Sequence, residues 1–105
     1  MNHLITMIRI EVIAPSDVST AVHELITSAG ATGYTSVAGV SGVGHSGAHN
    51  GRHLFNDHDA LGMTITVLPA ERAEPLIEAL RELLEGGSGV MFITDTWVSR
   101  SQYFQ

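Results

Sequence analysis

Residues 42–59 read GVGHSGAHNGRHLFNDHD and gather four of the chain's six histidines, His45, His49, His53 and His58, with four of its eleven glycines. Imidazoles spaced four, four and five apart are metal-ligand types. On a helix, residues at i and i+4 meet on one side and can share a zinc or copper ion, with Asp57 or Asp59 completing the shell. Gly47 and Gly51 argue against such a helix, so the spacing alone fixes no geometry. The same histidines also titrate near neutral pH. A second chemistry is anion binding. The turns GVG at Gly42 to Gly44 and GGSG at Gly86 to Gly89 offer backbone N–H groups uncovered by side chains, the arrangement that cradles phosphate. A third, nucleophilic catalysis, finds little support. Ser41, Ser46 and Ser88 lie near glycines, but there is no G-x-S-x-G elbow and no carboxylate in triad order, so the chain reads as a non-enzyme.

A polar, glycine-rich connection this long is uncommon inside a compact domain unless it is functional or disordered. The chain has 105 residues, 44% of them hydrophobic, which suits a single domain over 1–105 with one core. Eleven acidic residues face five basic ones, all five arginine, for a net charge of −6. Nucleic acid is therefore not an expected partner, because polyanions are held by clusters of Lys and Arg. There is no cysteine, hence no disulfide and no thiolate site. No apolar run approaches the roughly 18 residues of a membrane span, and MNHLITMIRIEV lacks the basic region and small-residue cleavage site of a signal peptide. The reading is a cytoplasmic protein without direct membrane insertion.

The elements that must position these turns follow from hydrophobic period. LITMIRIEVIA, residues 4 to 14, alternates with β-branched residues on both faces and reads as a strand ended by Pro15. Ser16 or Asp17 is placed to cap a helix whose stripe is Val18, Ala21, Val22, Leu25, Ile26 and Ala29, stopped by Gly30. Strands are expected from Tyr34 to about Val40 and from Leu61 to Leu68. Between Pro69 and Glu85 a second helical stripe runs through Ala73, Leu76, Ile77, Leu80, Leu83 and Leu84, with Pro75 tolerable only in a first turn. GVMFITDTWV reads as a fourth strand. The order β-α-β-β-α-β gives an α+β, ferredoxin-like fold: an antiparallel four-stranded sheet with both helices on one face. The other face then carries large apolar groups, from Ile5 and Met7 or from Leu4 and Ile8, joined by Trp97 or Phe92. A bare apolar sheet signals assembly.

The sequence resembles the PII signal-transduction superfamily across nearly its whole length. GATGYTSVAGVSGVG, Gly30 to Gly44, is similar to that family's glycine- and threonine-rich second strand and the turn after it. GSGVMFITD, Gly87 to Asp95, is similar to its short phosphate-binding loop and following strand, and VIAP, Val12 to Pro15, agrees in register. The resemblance implies a homotrimer with an adenine nucleotide in each of three clefts between subunits. Val12, Gly33, Tyr34, Thr35, Thr66 and Val67 would surround adenine and ribose. Gly42, Val43, Gly44 and His45, with Gly87, Ser88 and Gly89, would hold phosphates, and Arg100 would enter from the adjacent chain. Residues 41–60 would be the T-loop, which changes shape with the bound effector and engages a partner protein.

The departures from that pattern narrow the ligand. Val90 stands where nitrogen-sensing members place a lysine, and only Arg100 matches a pair of arginines near the last strand. With so few cations each further phosphate finds less compensation, so ADP or AMP is expected over ATP. No tyrosine lies between Val40 and Ala60, and the glutamine and lysine that help bind 2-oxoglutarate are missing. The short loop is most similar to the PII-like branches linked to carboxysomes and inorganic-carbon uptake. That resemblance implies bicarbonate as a second ligand and a membrane transporter or its regulator as partner. The alternative is a metal-responsive PII-like protein that binds zinc or copper through His45, His49, His53 and His58.

Overall fold

The computed structural model describes residues 3–42 and 60–105. Strand β1 (Ile5–Pro15) passes through a short 3-10 turn (Ser16–Val18) into helix α1 (Ser19–Ser28), followed by β2 (Thr35–Val40). Beyond the 41–60 connection come β3 (Leu61–Leu68), helix α2 (Ala70–Leu84), β4 (Val90–Val98) and a final 3-10 turn (Ser101–Tyr103). The sheet order is β2-β3-β1-β4 with every pair antiparallel, which is the ferredoxin-like arrangement expected from the element order.

Register decides which alternating set of β1 enters the core. Ile8, Ile10, Val12 and Ala14 lie opposite Leu68, Thr66, Thr64 and Gly62 of β3. On the other side, Val12 and Ile10 face Met91 and Ile93 of β4. This set meets the stripes of the two helices, and Ile10, Val12, Ala14, Val22, Ile26, Leu68, Ala73, Leu76 and Leu80 form one buried cluster. Full burial of each large member contributes about 1.5–3 kcal/mol. Both helical stripes read from the sequence are the ones that pack: Val18, Leu25, Ala29, Ile77, Leu83 and Leu84 flank the cluster.

The opposite face carries no helix. Ile5, Met7, Arg9, Glu11 and Ile13 of β1 share it with Leu61, Met63, Ile65 and Val67 of β3 and with Val37 of β2. From β4 it takes Val90 and Phe92, not Trp97, because Trp97 pairs with Thr6 on the helix side. Phe92 is 52% exposed there. An Arg9–Glu11 ion pair of 2.8 Å sits among these apolar side chains.

Local chemistry departs from expectation in three places. Neither Ser16 nor Asp17 caps α1; the two residues enter the 3-10 turn, and no side chain bonds the helix start. Pro75 lies inside α2 rather than in its first turn. Pro75 and Glu71, whose carbonyl is left without its N–H partner, are both exposed residues, so water can reach that carbonyl. Strand β2 bulges between Val37 and Val40, where Gly39 at φ +70° takes the left-handed conformation that an extra residue on an edge strand demands.

Candidate functional site

The candidate residues collect at two ends of the sheet. At the first end α1 stops as expected. Gly30 takes φ +85°, its N–H donates to the Thr27 carbonyl at 3.1 Å, and the Ala31 N–H donates to the Ile26 carbonyl at 3.4 Å. This double closure turns the chain sharply toward β2. The next residues are held from below by two buried threonines of β3. The Thr66 hydroxyl, on a residue only 2% exposed, donates to the Gly33 carbonyl at 2.8 Å. The Thr64 hydroxyl lies 3.1 Å from His23 Nε2, and the His23 ring stacks on Tyr34 with centroids 4.1 Å apart.

Gly33, Tyr34 and Thr35 are thus fixed in place while remaining exposed. A side chain added at Gly33 would meet no described residue within 4 Å, which leaves room for a ligand to approach the backbone. Thr35 pairs with Ile65 and Val67 with Arg9, which puts both on the helix-free side. Arg100 reaches this end from β4, its Nη1 3.3 Å from the Tyr103 hydroxyl and its guanidinium 5.6 Å from the centre of that ring. A guanidinium over an aromatic face is pre-oriented without being neutralised.

At the second end lie Gly42, after β2, and Gly87, Ser88 and Gly89, before β4. The Gly87 N–H donates to the Leu84 carbonyl at 3.1 Å and so closes α2, leaving Ser88 and Gly89 as amides without a backbone acceptor among the described residues. Gly89 is also required by packing. A Cβ there would stand 2.7 Å from Leu84 Cδ2 and 3.0 Å from Ala14 Cβ, so the loop lies directly on β1. Val12, in the same neighbourhood, is 2% exposed and packs in the core, so it supports the site from beneath and presents no side chain to a ligand. Among the described residues nothing lies within 4 Å of a Cβ added at Gly42. Val43, Gly44 and His45, and with them His49, His53 and His58, lie outside the described residues. Among the described residues no group of three metal-ligating side chains converges.

An open groove of about 630 Å³ runs between α1 and the start of β2, lined by Thr20, His23, Glu24, Thr27, Ser28 and Tyr34. Among the described candidate residues it shares only Tyr34, and none of Gly42, Gly87, Ser88 and Gly89 lines it.

A glycine-threonine turn braced by buried threonines, a short glycine loop ahead of the last strand and a ferredoxin-like sheet coincide with one family profile. The nitrogen regulatory protein P-II profile matches residues 7–103. The chain belongs to that family. Among solved PII-like structures it is similar to CPII of Thiomonas intermedia K12 bound to ADP and bicarbonate, at 32% identity over 97% of both chains with a TM-score of 0.82. The same protein bound to ADP, AMP and bicarbonate is 35% identical over 96% of this chain and 95% of that one, with a TM-score of 0.81. A PII-like signalling protein of Thermus thermophilus, 19% identical over 97% and 98% with a TM-score of 0.78, shares the fold. A search of curated proteins found no match.

Sequence reading of this PII chain missed His23 and Thr64. The contact joins residues 41 apart in sequence and leaves no periodic trace. The one available signal was the pair Thr64 and Thr66 on the side of β3 that must be buried, since buried hydroxyls need partners.

Proposed function

We propose that this PII-like chain is a regulatory sensor, not an enzyme. Three protomers join through the helix-free face of the sheet and bind ADP or AMP, with bicarbonate as second ligand, in the clefts between them. The observation that carries this reading is the separation of the two candidate ends. Strand β2 alone, with six residues, puts about 20 Å between them. An adenosine diphosphate does not stretch that far. One ligand touches both ends only where the Gly33–Thr35 end of one protomer meets the glycine loops of another.

The helix-free face supplies the means of bringing them together, since burying Ile13, Met63, Ile65, Val67 and Phe92 is worth about 25 cal/mol per Å² of apolar surface. The adenylate is then held by Gly33–Thr35 with Val67, its phosphates by Gly42 and the Ser88 and Gly89 amides, and Arg100 supplies the cation. With so little positive charge, the amides do most of the compensation, which favours one or two phosphates over three. The nucleotides and bicarbonate bound by the Thiomonas protein, at about one-third identity, support the same ligand set here. Ordering of residues 41–60 by the ligand then changes the grip on a cytoplasmic face of a transporter, or on its regulator. Such a switch requires unequal affinity for the two loop states.

Calorimetry with ADP, AMP and ATP, each with and without bicarbonate, tests the proposal. The expected result is saturable ADP and AMP binding, weaker ATP binding and a bicarbonate-dependent change. Absence of any heat at millimolar nucleotide removes the reading.

A further inference from the structure

Arg72 is the third residue of α2, in the first turn, where a cation opposes the helix dipole. Among the described residues it has no carboxylate partner, since the two ion pairs are Arg9–Glu11 and Arg81–Glu78. Its position is explained by what it touches across the end of the sheet. The side-chain stem lies against the α1–β2 turn, with Cδ 3.5 Å from where a Cβ on Gly30 would stand. One terminal nitrogen donates to the Phe104 carbonyl at 3.4 Å, and Nε is buried without an acceptor. Beside it the Thr32 hydroxyl donates to the Tyr103 carbonyl. The segment after β4 is therefore a strap laid across the foot of the sheet, pinned at Tyr103 and Phe104 to the turn that leads into Gly33.

From this geometry, and resting on the nucleotide reading above, we infer that Arg72 is a positioning residue of the adenylate site. It fastens the strap to the α1–β2 turn and so holds Arg100 in place, without itself touching the nucleotide. Arg100 is free to reach a ligand only from a strap whose far end is anchored. Tyr103, which is pinned by Thr32, also carries the ring and hydroxyl that orient the Arg100 guanidinium. The buried, unpartnered Nε makes Arg72 an expensive side chain to keep unless its anchoring is used.

Arg72→Met keeps the stem on Gly30 and removes every donor. In the free protein, amide exchange at Tyr103 and Phe104 is expected to rise about tenfold while the core strands keep their protection. ADP affinity is expected to fall about tenfold, and Arg72→Met with Arg100→Met should bind no more weakly than Arg100→Met alone, since Arg72 acts through Arg100. Unchanged exchange at the strap overturns the clamp. Faster exchange with ADP affinity within about twofold of the parent overturns the positioning role, and additive losses assign Arg72 to the nucleotide itself. If Arg72→Met does not fold, Thr32→Val removes the neighbouring anchor and is judged by the same three readouts. If the parent protein takes up no adenine nucleotide, the proposed function falls, while the exchange comparison still decides whether Arg72 clamps the strap.

Discussion

The two ends of the sheet achieve rigidity by opposite means. At the Gly33 end, side chains hold the backbone: Thr66 on the Gly33 carbonyl, Thr64 and His23 beneath Tyr34, Thr32 on the strap. At the Gly89 end the absence of a side chain lets the loop pack closely on its neighbours, and a Cβ on Gly89 would crowd Leu84 Cδ2 and Ala14 Cβ. The first end suits a ligand with a shaped, partly apolar surface such as a purine. The second suits an anion, which needs donors and close approach. In the proposed cleft each end would supply what the other lacks.

The largest expected effect comes from separating the ends physically. Phe92→Asp places a charge on the helix-free face at a position exposed in the protomer, so the fold should be kept and the proposed assembly lost. Sedimentation should show a protomer of 11 kDa, and calorimetry no ADP binding. A lone protomer that still binds ADP breaks the two-end account. Next come Gly33→Asp and Gly42→Asp, since no described residue lies within 4 Å of either added Cβ. Gly42→Asp should weaken ADP by about a hundredfold through like-charge repulsion with the phosphates, and Gly33→Asp by a similar factor by setting an unpaired carboxylate against the purine, each leaving the melting temperature nearly unchanged.

Gly89→Ala sharpens the contrast between backbone and side-chain support. Overpacking against Ala14 and Leu84 should cost about 1–3 kcal/mol in denaturant unfolding, whereas Gly33→Ala should cost far less. Thr66→Val removes one donor from a partly buried bond and should cost about 0.5–1.5 kcal/mol, with a matching loss of ADP affinity. The smallest effect belongs to Arg81→Ala on the outer face of α2. The hydrogen bond and charge of Glu78 hold the Arg81 guanidinium above its ordinary range. A raised value contributes stability that is complete below the unfolded value and lost only as pH climbs through the folded one, beyond any working pH. The pair is solvent-exposed, so no change in melting temperature or ADP affinity is expected.

Much of the scaffold was legible because it is written in periods. Alternation in LGMTITVL gave β3 its bounds, and i, i+3, i+4 spacing gave both helical stripes, since burial selects for those periods directly. Gly30 was legible as a stop because few residues accept φ +85°. The sequence could not choose which face of β1 is buried, for Ile5 and Met7 are as apolar as Ile8 and Ile10. That choice is made by pairing with the buried face of β3. Nor could it see that Gly87 closes a helix or that Gly89 is a packing requirement, since both depend on Leu84 ending α2 where it does. The Pro75 expectation failed because an exposed carbonyl without a partner is satisfied by water, which local rules about proline undervalue.

The most direct measurement is complementation between two variants that are each defective at a different end. Gly33→Asp and Gly42→Asp proteins, each weakened about a hundredfold for ADP on its own, are unfolded together and allowed to co-assemble. Random mixing in a closed threefold ring leaves about one cleft in four with two intact walls, so ADP binding should return to roughly a quarter of the sites at parental affinity. Mixed assemblies in which no cleft regains ADP would mean that both ends serve the same protomer's ligand, or none.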